Sequence, residues 1–167
     1  MRVVAVDLTW EDIKRQNQIA SEWMLYYHQR YEIYNQIKTD STSLTASQAT
    51  GMPHGSGISD PTAQKTIELD RMKNDELWLM TVEDVERIVS PQKRIFIEVR
   101  RRAEYNKNDG IATVGRPGWV SYTQVEYAEK IYRMYGYEQV PSERTMISWW
   151  NQIVELAVRV AIKRGCL

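Results

Sequence analysis

The 167-residue sequence is short of the residues that most enzyme sites need. It has one cysteine, Cys166, two histidines, His28 and His54, and a single phenylalanine. One cysteine excludes an internal disulfide framework and a Cys-rich zinc site, and two histidines are too few for most catalytic metal sites. No apolar run approaches a membrane span. The N-terminal run "MRVVAVDLTWED" is too short for a signal peptide. The expectation is a soluble cytoplasmic protein with no membrane partner. Net charge is also lacking, with 22 Lys/Arg against 22 Asp/Glu.

The neutral total hides an asymmetry. Residues 1–90 hold 9 Lys/Arg and 14 Asp/Glu, a net charge of −5, while residues 91–167 hold 13 and 8, a net charge of +5. Such a split points to an anionic partner for the second half, against the plainer reading of charges clustered on solvated faces. Ten Tyr and six Trp supply nearly all the aromatic surface. These amphipathic rings suit a small core with wet edges, or an interface.

The periodicity is helical throughout, and the expected class is all-α. Thr9 is an N-cap and Asp12 completes a capping-box pattern. Apolar residues at near-helical spacing then carry one long helix to Lys38. Residues 39–59, "TDSTSLTASQATGMPHGSGIS", are rich in Ser, Thr and Gly and read as a linker. Asp60–Pro61 opens a helix, or a helix and its successor, to Val89. Ser90–Pro91 repeats that signature and starts another to about Tyr105. "NKNDGIATVGRPGWV" reads as a loop and forms an insert over residues 106–120. Ser121 caps a helix that stops at Gly136, and Ser142 caps a last helix that runs to Arg164 and stops at Gly165. The expected organisation is an N-terminal helix over 1–38, a linker over 39–59 and a helical domain over 60–167, ending in a helix-turn-helix over about 121–164.

The glycine-rich stretch before Pro61 invites a phosphate-binding reading, which its residues do not support. A phosphate loop needs a Gly-Lys-Ser/Thr end after a strand. Here Asp60 holds the place a phosphate would take. No serine–histidine–acid pattern can be assembled around His54, whose nearest acid in sequence is Asp60, and no carboxylate pair or metal-ligand spacing stands out. No catalytic residue, metal ligand or cofactor is expected, and the chain does not read as an enzyme.

The last two helices are the most specific feature. A helix, a tight turn at Gly136 and a second helix follow the helix-turn-helix layout, in which the second helix lies in the major groove. Projected at helical spacing, Met146, Ile147, Trp150, Ile153, Val154, Ala157, Val158 and Ala161 fall on one side. Arg144, Thr145, Ser148, Trp149 and Gln152 lie on the other side at the N-terminal end, where base edges are read. These five are the expected base contacts. Ser142 caps the helix and can donate to a phosphate. The plain alternative is an ordinary helical hairpin with a solvated outer face.

Four segments also carry a family resemblance: "YYHQRYEIYNQI" (Tyr26–Ile37), "PHGSGISDPTAQKT" (Pro53–Thr66), "VERIVSPQKRIFIEVRRRAEY" (Val85–Tyr105) and the final helix pair. Together they resemble the ArpU/RinA type of phage late-gene transcriptional regulator, whose C-terminal region is like the DNA-binding part of sigma factors. The resemblance implies sequence-specific binding of double-stranded DNA that switches on late phage genes, with host RNA polymerase as a further partner. On that reading the phosphate contacts are Lys93, Arg94, Arg100, Arg101, Arg102, Arg116, Lys130, Arg133 and Ser142, and a homodimer would read two half-sites. The competing readings are a small terminase-like packaging subunit, which also binds DNA, and a protein–protein adaptor that binds none.

Overall fold

The structure is a computed structural model that describes residues 8–47, 61–108 and 118–167. The glycine-rich stretch with His54 and Asp60, the rest of the expected linker, and Arg116 in the insert lie outside the described residues. Six helices are described: α1 (Trp10–Leu25), α2 (Tyr27–Ser47), α3 (Pro61–Ile88), α4 (Pro91–Asn108), α5 (Gly118–Tyr135) and α6 (Glu143–Arg164). No strand occurs among the described residues, so the described fold is all-α. No described helix is long and apolar enough to cross a membrane.

Local chemistry sets most of the helix ends. Thr9 Oγ1 accepts from the Asp12 amide at 3.2 Å, and the Thr9 amide donates to Asp12 Oδ2 at 3.0 Å. This is the reciprocal capping box that the sequence predicts. The Thr9 hydroxyl also donates to Asp12 Oδ2 at 2.6 Å, and this bond, with that of the Thr9 amide, holds the Asp12 carboxyl below its ordinary pKa. Ser142 caps α6 in the same way, accepting from the Thr145 amide at 3.2 Å. Gly136 (φ 75°) and Gly165 (φ 78°) adopt the left-handed conformation that stops α5 and α6. The start of α5 departs from expectation. It begins at Gly118, which puts Ser121 inside its first turn rather than at its cap.

The expected single helix over residues 9–38 is two helices, and the cause is visible. The chain leaves helical geometry at Tyr26 (φ −101°, ψ 21°). The Met24 carbonyl, which an unbroken helix would turn toward the next turn's amide, instead accepts a 2.7 Å hydrogen bond from Arg101 Nε on α4. A side chain inserted into the helical ladder is a standard cause of a kink. Beyond it, α2 continues to Ser47, through nine residues expected to be linker. Residues 39–47 contain neither Gly nor Pro. The Thr39 hydroxyl bonds back to the Asn35 carbonyl (2.9 Å) and that of Ser41 to the Lys38 carbonyl (3.0 Å), so these side chains are satisfied within a helix.

The core lies where α1, α3, α4, α5 and α6 meet. Trp23 and Trp78 stack with ring centroids 5.6 Å apart and planes 2° apart. Around them Met24, Val82, Val85, Phe96, Ile97, Val99, Tyr127, Ile131, Met146, Ile153 and Ala157 are fully buried. Burial of these side chains, each worth about 1.5–3 kcal/mol for the larger ones, is what holds the helices together. It also fixes α6 by its apolar side against α1 and α3, leaving its polar N-terminal side turned outward.

Candidate nucleic-acid interface

The five residues expected to contact bases share one surface. Arg144, Thr145, Ser148, Trp149 and Gln152 line a shallow groove of about 270 Å³ along the first turns of α6. Arg144, Ser148 and Gln152 are exposed, Thr145 half-buried. Trp149 differs from the others. Its ring packs edge-on against Phe96 (5.6 Å between centroids) and Tyr127 (5.8 Å), so it is a wall of the groove anchored in the core.

The groove is completed from α4. Lys93 Nζ donates to Gln152 Oε1 at 2.8 Å, and Gln152 Nε2 donates to Ser148 Oγ at 3.2 Å. The Ser142 and Thr145 hydroxyls, 2.8 Å apart, share a further hydrogen bond at the helix start. A residue expected to touch phosphate and one expected to read a base, 59 positions apart, thus form a single junction. Helical spacing alone cannot reveal that pairing.

One local signal does point there. The first turn of α4 holds Lys93 and Arg94 and no acidic residue. Cations at a helix N-terminus oppose the macrodipole, at a cost of roughly 0.3–1 kcal/mol each when exposed. The helix end itself gains nothing from those charges, whereas an anionic ligand would gain from both the charges and the helix end. Neither Arg94 nor Arg144 makes an ion pair with any described residue, and both are exposed. The acidic residue at the start of α6, Glu143, falls on the opposite side of the helix from Gln152 at 3.6 residues per turn.

The remaining expected phosphate contacts are placed otherwise. Arg100 and Arg101 are 5 % and 6 % exposed and are not on the surface. Arg100 pairs with Glu104 at 2.9 Å and lies over the rings of Trp119 (4.3 Å) and Trp150 (5.1 Å). Burial lowers its pKa, opposed by the Glu104 carboxylate. Arg101 pairs with Glu86 at 2.6 Å, holds the Met24 carbonyl and covers the Tyr27 ring. Two of the three charges of the run Arg100–Arg102 are therefore structural.

Arg102, Lys130 and Arg133 form a separate, charge-balanced cluster on α4 and α5. Arg102 pairs with Glu98 (3.3 Å) and Glu126 (3.8 Å), Lys130 with Glu98 (2.5 Å), and Arg133 with Glu129. Three cations facing three carboxylates present no net positive potential. In each case the carboxylates that pair with these cations lie on the same helix, one turn away, or on a neighbouring helix.

Among the described residues no group of three His, Cys, Asp or Glu side chains is placed to hold a metal ion. Comparison with known protein families, curated proteins and solved structures finds no match to this chain.

Proposed function

We propose that this chain is a sequence-specific DNA-binding protein that lays the first turns of α6 in the major groove of double-stranded DNA. The observation that carries this reading is the junction of Lys93, Gln152 and Ser148, beside the exposed guanidinium of Arg144, which has no ion-pair partner among the described residues. Arg and Gln are the side chains that make bidentate contacts to base edges, and Ser and Thr serve either bases or phosphates. The connection from Gly136 to Ser142 is longer than the roughly three or four residues of the commonest helix-turn-helix. It is held by a 2.9 Å hydrogen bond from Gln124 Nε2 to the Pro141 carbonyl.

The biological role we assign is regulation of phage or prophage late genes, as the resemblance implies, with host RNA polymerase as partner and a homodimer as the binding unit. The test is fluorescence anisotropy of the purified full chain with labelled duplexes from its own gene neighbourhood, against scrambled duplexes. The reading predicts tight binding to one segment, weakened by Arg144→Ala and by Gln152→Ala. Absence of binding to every duplex at low salt overturns it and leaves the adaptor reading.

A further inference from the structure

The groove on α6 has a single hydrogen-bonding polarity. An ammonium group carries donors and no acceptor, so the atom of the Gln152 amide that faces Lys93 at 2.8 Å must be the oxygen. The amide nitrogen then faces Ser148, donates to its Oγ at 3.2 Å and keeps its second N–H. The Arg144 guanidinium contributes donors only. The charged groups of the groove are therefore all donors, and the acceptor that a free glutamine would offer is already engaged by Lys93 through one of its two lone pairs.

That polarity matches one purine and not the other. In the major groove guanine presents two acceptors, N7 and O6, whereas adenine presents the N7 acceptor beside the N6 donor. A glutamine reads adenine by using its oxygen and nitrogen together. With its oxygen already accepting from the Lys93 cation, Gln152 is a poorer acceptor for adenine N6–H, and the neighbouring ammonium donors face that group unfavourably. Gln152 Nε2, the remaining Lys93 N–H groups and Arg144 can all donate to guanine.

Resting on the reading of α6 as the helix that meets DNA, we propose that Lys93 is a specificity-determining residue: by holding the Gln152 oxygen it makes the groove select guanine over adenine. Lys93 acts here through Gln152 as a positioning residue, in addition to any phosphate it meets. Its charge-assisted hydrogen bond is of the stronger kind, so the amide orientation is set before DNA arrives.

The test uses the full chain and a pool of duplexes with a randomised central segment, sequenced before and after selection. The position read by Gln152 is the one at which Gln152→Ala loses its preference. There, wild type is expected to enrich guanine and to lose about tenfold in affinity when that guanine is changed to adenine. Lys93→Met keeps the aliphatic stem, frees the Gln152 oxygen and is expected to shift the preference at that position toward adenine. Lys93→Arg retains a donor and is expected to keep guanine. Thermal melts of both variants establish that they fold. Selection of adenine by wild type, or an unchanged motif in folded Lys93→Met, overturns this inference while leaving DNA binding intact. Failure of wild type to retain any duplex overturns the reading of α6 itself, and this inference with it.

Discussion

Arg101→Met separates a structural arginine from a DNA-binding one. The wild-type side chain is 6 % exposed, donates to the Met24 carbonyl at 2.7 Å and pairs with Glu86 at 2.6 Å. Methionine keeps most of the volume and removes both interactions. Met24 is fully buried, so its carbonyl would be deprived of its Arg101 partner, at a cost of about 1–3 kcal/mol. Removing one partner of a buried ion pair costs about 3–5 kcal/mol, but the Glu86 side chain is 33 % exposed and water recovers much of that. We expect a net destabilisation of about 2–4 kcal/mol, which at about 3 °C per kcal/mol for a chain of this size lowers Tm by roughly 6–12 °C.

The assay is a far-UV circular dichroism melt run beside a DNA-binding salt titration on the same preparation. Arg133→Met is the control. That side chain is 74 % exposed, and its removal should change stability by no more than about 0.5 kcal/mol. The account requires Arg101→Met to melt early while its salt dependence of DNA binding is unchanged at a temperature where it is folded. A variant that melts within about 2 °C of wild type, yet binds DNA with a shallower salt dependence, would refute the assignment of Arg101 to the interior.

Three further outcomes follow from the geometry. Tyr127 is fully buried and its hydroxyl has no hydrogen-bond partner among the described residues, so Tyr127→Phe should raise stability by about 1 kcal/mol in a denaturant titration. Burial pushes the Tyr127 hydroxyl up to about 12 from its ordinary value of 10.0. A phenol whose folded pKa is raised keeps its full contribution below the unfolded value, so stability should fall as pH rises from about 10 to 12, and Tyr127→Phe should blunt that fall in melts across that range. Ser142→Ala removes the cap of α6 and should cost about 1 kcal/mol, with amide exchange accelerated at the first turn of α6 but not at its C-terminal turn.

The parts of this structure that are legible in the sequence are those set by neighbours along the chain. Thr9 with Asp12, Gly136, Ser142 and Gly165 act on backbone groups within one turn, and the residue type alone states what each can do. The outward side of α6 is legible for the same reason, since Arg144, Thr145, Ser148 and Gln152 follow from helical spacing. What is not legible depends on partners far away in sequence. Whether Arg100, Arg101 or Arg102 reaches solvent is decided by Met24, Glu86, Trp119 and Trp150, which only packing brings near. The kink at Tyr26 has the same origin, because nothing in "WMLYYHQ" announces an arginine arriving from α4. Trp149 is ambiguous on a helical projection because it lies at the border between the two sides of α6. Phe96 and Tyr127 anchor one side of its half-buried ring against the core while it also lines the groove.

The central claim is that DNA meets the start of α6 and the start of α4, and not the charge-balanced surface of α4 and α5. The most direct measurement is the slope of log K against log salt for two double variants with the same charge change. In the first, Arg94→Ala with Arg144→Ala, two exposed cations without an ion-pair partner among the described residues are removed, one at the start of α4 and one in the groove. In the second, Arg102→Ala with Arg133→Ala, two cations are removed from the ion-paired cluster. Each phosphate that the protein ceases to neutralise reduces the slope by roughly 1 for duplex DNA. The account predicts a shallower slope for the first variant and a slope equal to wild type for the second. The reverse pattern would contradict it and move the DNA to the opposite surface.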